Sequence, residues 1–363
     1  MKKKFRQIAS LFIAYFWLAS VVAQEQGETY TVSEGGETYE LVLVYDQQRA
    51  PAYFVRDIFT PVCLDSVCKP VRIKLFWDLL GNYLKYEVPA DEPLTKLDHK
   101  EFTPEDHAKL QGILSNENSL LKDFKLEDLV DSTSQHLSDS VDAVTGATKN
   151  TIKNEVIEGA LYTCYTLWQL AHGSVVNEIQ KIFKTKLDTQ MLHRFLRSTN
   201  FHYVYFALEE VMNAEGIIQD GFLPDVLAVL ASDNVFAARH VWQRINLQYF
   251  AKRQEQETLW RIFVHSPYTL QVAFLKRMKQ LDLDPGLVPR ITDYLPKLNN
   301  ALFKQTLGVL AMQDVLPQVS QEKLLAYLTS ADKEKAEAVY EAMKGHPKLS
   351  EAFHKQLKIY SKP

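Results

Sequence analysis

The sequence predicts an α+β domain, built on a small and mostly antiparallel sheet with helices, followed by an all-α solenoid of HEAT-like repeats. Three observations carry this. Residues 25–77 hold β-branched and aromatic runs with partial alternation. Almost every window after Ile152 instead has apolar residues at three- and four-residue spacing. That second half also repeats itself: Leu196-Arg-Ser198-Thr-Asn200 returns as Leu230-Ala-Ser232-Asp-Asn234 and again as Val264-His-Ser266-Pro.

In chain order, residues 1–23 read as a secretory signal peptide, with the basic start MKKKFR, the apolar run IASLFIAYFWLA and the small-residue site Val21-Val22-Ala23. The expected destination is the periplasm or another extracytoplasmic space. No later stretch reaches the roughly 18 uninterrupted apolar residues of a membrane span, so no transmembrane segment is expected in the mature chain. The remaining length of about 340 residues suggests two domains, with boundaries at 24–172 and 173–363. A formal net charge of -4 carries no basic footprint and argues against a nucleic-acid partner.

The strand runs are TYTV, YELVLVYD and KPVRIKLFWD, separated by SEGGE and by a loop holding Cys63 and Cys68. These two cysteines flank Leu-Asp-Ser-Val, and an exported chain can keep them oxidised. A disulfide stapling a hairpin and a redox-active dithiol are both open readings, although the spacing is not C-x-x-C. Cys164 sits among helical apolar residues and reads as a small buried hydrophobe. After Gly81 an irregular segment is expected. Thr103-Pro104-Glu105-Asp106 then supplies an N-cap, proline at the first helical position and acids in the first turn of a helix to about Leu114.

In the repeats, the marker serines lie 34 residues apart, and Leu328-Thr-Ser330 closes the series. Apolar pairs follow each marker at Ala207/Leu208, Val241/Trp242, Leu275, Thr306/Leu307 and Val339/Tyr340. A two-helix unit of this length cannot bury its apolar face alone, so neighbours must stack. The serine is expected to cap the second helix of each unit. The charged final helices suit a terminal cap.

Between the halves stands Asp142-Ala-Val-Thr145-Gly146-Ala147-Thr148. On local physics, Thr148 or Thr151 would cap a helix from about Ile152 to Ala171, with Gly146 permitting the turn and Asp142 favouring the positive helix end. The string also resembles the flavinylation motif D-x-x-[ST]-G-A-[ST] of the FMN-binding domain family, found in the flavin subunits of Rnf and sodium-translocating NADH:quinone reductase complexes. The resemblance implies FMN joined through its phosphate to Thr148 by a flavin transferase. Asp142 and Thr145 would be positions the transferase needs, and Gly146 and Ala147 would keep the loop narrow. It implies an electron-transfer flavoprotein component rather than a stand-alone enzyme, with a redox partner that is membrane-bound in one version of the reading. A phosphate at Thr148 would meet the free N–H groups of the following helix, and Lys149 would pair with it.

If flavin is present, Phe76-Trp77 and Tyr83 are candidate stacking residues, and His99 is a further candidate ligand. No side chain is assigned a catalytic role, and no metal set with ligand spacing is visible. The rival reading is a helical-repeat scaffold without flavin, in which the threonine string only caps a helix.

Overall fold

The computed structural model describes residues 27–34, 36–62, 69–96, 99–131, 147–148 and 152–361. The signal-peptide reading, Cys63 and Cys68 lie outside the described residues. Contacts divide the chain into two compact units, residues 1–186 and 187–363. The helix Val175–Lys186 therefore belongs with the first unit rather than with the repeats.

Five strands form an antiparallel meander in the order β1-β2-β3-β4-β5: β1 Gly27–Glu34, β2 Glu37–Tyr45, β3 Pro51–Thr60, β4 Val71–Trp77 and β5 Tyr83–Glu87. The alternation in β4 sets the buried face. Val71, Ile73, Leu75 and Trp77 are buried while Arg72 and Lys74 between them are exposed, as side chains of period two require. Phe54 and Ile58 of β3 stand opposite Trp77 and Ile73 and join that face.

Two strands were not read from the sequence. β3 carries Arg56 and Asp57 in its middle, which hides its apolar alternation. Asp57 is exposed and stands opposite Lys74 in the register, while the Arg56 guanidinium lies 3.6 Å from the centroid of the Tyr39 ring, which gives that charge a partner in the sheet. β5 lies at the sheet edge with no fully buried residue, and its alternation is correspondingly faint.

α1 (Pro104–Ser115) begins as expected. The Thr103 hydroxyl accepts from the Asp106 amide and the Asp106 carboxylate accepts from the Thr103 amide, a reciprocal capping box. The helix is tied to β5 through Tyr83, whose hydroxyl donates to Gln111 Oε1 at 2.8 Å, and through the Gln111 amide on the Leu84 carbonyl. α2 (Leu161–His172) lies on α1, with Trp168 Nε1 donating to the Asn116 carbonyl at 3.0 Å and His172 Nε2 bonded to the Leu114 carbonyl at 2.8 Å. Burial pulls the His172 imidazole below its ordinary pKa, keeping the ring neutral. α3 (Val175–Lys186) follows, and its Gln180 amide donates to the Leu80 carbonyl.

At the end of α3, Lys186 Nζ bonds both carboxylate oxygens of Glu28, at 3.0 and 2.8 Å, and the Tyr45 hydroxyl donates to the same carboxylate at 2.7 Å. These hydrogen bonds, Lys186 first, hold Glu28 down from 4.5 to about 2. A depressed carboxyl contributes stability above its ordinary pKa and loses it as pH falls towards the folded value. The stability difference between wild type and Glu28→Gln should therefore be largest above pH 4.5 and fade as the pH approaches about 2, as urea midpoints against pH will show. A difference that persists undiminished below pH 2 would reject the tie.

In the second unit, helices alternate between two rows. One row is α4 (Thr189–Leu196), α6 (Leu223–Leu230), α8 (Arg253–His265), α10 (Val288–Tyr294), α12 (Gln318–Leu328) and α14 (Glu351–Tyr360). The other is α5 (Phe201–Val211), α7 (Val235–Arg244), α9 (Tyr268–Met278), α11 (Asn300–Leu310) and α13 (Lys333–Met343). Each member of the second row packs on the next, from α5 through to α13, which is the stacking expected of a solenoid. Ala207, Leu208, Val241, Trp242, Leu275, Thr306, Leu307 and Val339 are all buried, as their spacing predicts, whereas Tyr340 is only partly buried. Among the described residues, no helix is long and apolar enough to cross a membrane.

The marker serines are not the caps. Asn200, Asn234, Asn299 and Asp332 cap α5, α7, α11 and α13 through their side-chain oxygens. Ser198 and Ser232 stand two residues before the caps of α5 and α7, and Ser266 stands before Pro267 at the start of α9, which has no side-chain cap. Ser198 Oγ accepts from the Asn200 amide, whereas Ser232 and Ser266 donate back to carbonyls of the preceding helix at 2.8 Å. A residue at helix end has free carbonyls in reach, and a short Asn or Asp side chain two positions later is better placed for the free amides.

Gly216 marks a close approach between successive repeats. It has φ +73°, and a Cβ there would lie 1.9 Å from the Arg244 carbonyl oxygen. The Asn246 amide donates to the Gly216 carbonyl at 2.9 Å. Gly216→Ala should destabilise the helical unit by about 2 kcal/mol or more, since the left-handed conformation alone costs roughly 1–2 kcal/mol. A guanidinium midpoint equal to that of the wild type would contradict this packing.

Candidate functional site

The seven-residue string that drew attention is described only at its end. Asp142, Thr145, Gly146 and Lys149 lie outside the described residues, as does Thr151. Ala147–Thr148 forms the short strand β7, antiparallel to β6 (Val130–Asp131), with Thr148 opposite Val130 and Ala147 opposite Asp131. Thr148 therefore has extended backbone rather than helical backbone.

A framework of buried contacts holds this ladder from both sides. Upstream, Leu121 and Leu129 are fully buried, the Tyr165 hydroxyl of α2 donates to the Phe124 carbonyl at 2.9 Å, and the Gln169 amide donates to the Leu121 carbonyl at 3.2 Å. Downstream, Ile152, Val156 and Ile157 are buried. Between them a 3-10 turn, Lys153–Glu155, sends the Glu155 carboxylate to the Ser119 hydroxyl at 2.7 Å. The segments flanking the string are thus fixed to α1 and α2, while its own last residues sit in a two-residue ladder.

The helix expected from Ile152 is corrected. α2 does not start until Leu161, because Gly159 takes φ +75°, a left-handed conformation that interrupts a right-handed helix. Ala160 stands at the N-cap without a side-chain hydrogen bond. Thr148 is consequently not a helix cap. The stabilisation of a phosphate expected from a helix starting at about Ile152 loses its basis as well, since among the described residues the next α-helix starts only at Leu161.

The proposed ring-stacking residues are mostly committed elsewhere. Trp77 is fully buried, and its Nε1 donates to the Ala171 carbonyl at 2.7 Å. It is a core residue fastening the sheet to α2, with no ring face open to a ligand. Phe76, also buried, has Tyr53 beside it at 5.8 Å and the Lys85 ammonium over its ring at 4.5 Å. Tyr83 is half-buried against α1, and burial pushes its phenol up. His99 is exposed, at φ +58° in a surface turn. Cys164 is fully buried, with its sulfur accepting from the Ile157 amide at 3.3 Å. Burial pushes its thiol up to about 12, which leaves it an unreactive small hydrophobe.

The sequence reading missed a polar patch on the core-side face of the sheet. Glu28 and Tyr30 of β1 stand opposite Leu43 and Leu41, so they share a face with the core residues of β2, and Tyr45 and Lys186 join them. The period-two placement of Glu28 and Tyr30 was a visible signal. Its partner Lys186, 158 residues away, was not. No protein family, curated protein or solved structure matches this chain.

Proposed function

We propose that this chain is an exported flavoprotein that carries FMN esterified to Thr148 and acts in extracytoplasmic electron transfer. The observation that carries the reading is the complete string Asp142-Ala-Val-Thr145-Gly146-Ala147-Thr148, together with the β conformation of its last two residues. The common explanation for such a threonine, a helix N-cap, does not apply at Thr148. An extended acceptor backbone suits presentation of its hydroxyl to a modifying enzyme, because extended peptides expose alternate side chains to a groove.

The fit is to attachment and not to a preformed anion cradle. Thr148 supplies the hydroxyl, the buried contacts of Leu121, Leu129 and Ile152 fix the flanking chain, and Asp142 and Thr145 of the same string would serve the transferase. Bound FMN would supply reversible hydride or one-electron chemistry, and the chain's part is to keep it tethered outside the cytoplasm. The partners implied are a flavin transferase and a redox protein.

The direct test is intact mass of the exported chain after coexpression with a flavin transferase. The expected gain is one FMN less one water. An unmodified wild-type chain in that experiment would overturn the reading.

A further inference from the structure

The two edges of the five-stranded sheet are built differently. β5 is guarded in the ways that keep stray strands off a sheet. It has only five residues, the ladder beside it shifts register at Phe76/Trp77, Lys85 stands on it, and the Gln111 amide of α1 occupies its Leu84 carbonyl. β1 carries none of these guards. It runs for eight residues without proline, lysine or arginine, and its register with β2 is unbroken from Gly27↔Val44 to Glu34↔Glu37. Among the described residues, β2 is the one strand that pairs with it.

The register also shows which backbone groups lie on the open side. Glu34 and Glu37 pair across two intervening residues, so they are the hydrogen-bonded ends of a β-turn. Hydrogen-bonded and non-hydrogen-bonded pairs alternate along an antiparallel ladder. Tyr30 and Val32 therefore turn their N–H and C=O groups to β2, and Thr29, Thr31 and Ser33 turn theirs away from it. The side chains of these last three are exposed, while Val32 between them is buried. A row of unused donors and acceptors along a strand edge pairs with the main chain of an extended segment. A helix cannot answer it, because its own backbone groups are used internally.

Charge selects the kind of segment. The hairpin from Gly27 to Tyr45 contains Glu28, Glu34, Glu37 and Glu40 and no lysine or arginine. Glu28 is already held by Lys186, whereas Glu40 is exposed and stands opposite Thr31. Neighbouring strands lie about 5 Å apart, so a strand added beside β1 places its outward side chains about 10 Å from the β2 row. Only the short hydroxyl side chains of β1 stand between, and a lysine or arginine can reach across them to Glu40. A second copy of this hairpin would instead bring four more glutamates against the first four, a like-charge arrangement that disfavours self-pairing.

We propose that the open edge of β1 takes up an extended, lysine- or arginine-rich segment of a partner protein as a sixth strand, with basic side chains on the outer face near Glu40. The site lies within the first unit and does not depend on flavin attachment.

Fluorescence anisotropy on the full chain, with a labelled peptide of four Lys-Val units as probe, tests it. Saturable binding is expected, and the same peptide with every backbone nitrogen methylated should not bind, because it has no N–H to pair. Thr31→Pro removes one outward N–H at an edge position where a strand accepts proline, and it should weaken binding by about tenfold or more. Glu40→Lys should weaken it by about tenfold or more through charge alone, and it decides the matter if the urea midpoint shows Thr31→Pro to be unfolded. Glu-Val units should bind the wild type more weakly, and Thr148→Ala should bind Lys-Val as the wild type does. Absence of saturable binding, equal binding of the methylated or the glutamate peptide, or undiminished affinity in Glu40→Lys or in folded Thr31→Pro would overturn the proposal. So would a wild-type dimer in sedimentation that Thr31→Pro returns to monomer, since the edge would then belong to a second copy.

Discussion

Thr148→Ala is expected to abolish flavin attachment completely, because a methyl group in place of the hydroxyl leaves no oxygen for the phosphoester. The protein coexpressed with a flavin transferase should lose both the added mass and the yellow colour that survives denaturation. Thr148→Ser should restore them, since serine keeps the nucleophilic oxygen. Thr151→Ala should leave attachment intact. The fold should tolerate all three changes, because the ladder at Ala147–Thr148 is made by backbone groups and a two-residue edge contributes little. Retention of flavin in Thr148→Ala would move the acceptor elsewhere. Loss of flavin in Thr151→Ala alone would do the same.

Trp77→Ala should cost about 3–5 kcal/mol of stability in the sheet unit, the usual penalty for emptying a buried aromatic site. Trp77 is fully enclosed, and its removal also strands the Ala171 carbonyl that now accepts its indole N–H. Trp77→Phe separates the two effects. It should cost less, with about 1–3 kcal/mol assigned to the unpaired carbonyl. Chemical unfolding followed by circular dichroism and by tryptophan fluorescence measures both. A wild-type midpoint in Trp77→Ala, coupled with altered flavin spectra, would return Trp77 to the cofactor.

The two halves of the chain were unequally legible. The repeats announced themselves because each unit solves one packing problem in one way, so Ser198, Ser232 and Ser266 recur at fixed distance and the apolar pairs after them are buried in register. The capping role slipped by two residues because a serine and an asparagine two positions later are both good local hydrogen-bonders. Which one meets the amides depends on where the preceding helix ends. In the sheet, β4 was plain from its alternation, while β3 was masked by Arg56 and Asp57. Tyr39, beside Arg56, and Lys74, opposite Asp57, lie on other strands, and such neighbours leave no mark in a local window.

The candidate site shows the same boundary. The sequence alone singled out Thr148, because a modifying enzyme reads a short linear string and such a string is local by nature. It also determined the change from strand period to helix period, through side-chain spacing. Only the tertiary structure decided that Thr148 stands in a β ladder with α2 delayed to Leu161, that Trp77 is core, and that β1 stands at the edge of its sheet. Those outcomes depend on contacts between residues far apart in the chain, whose free energies arise only once the elements have packed.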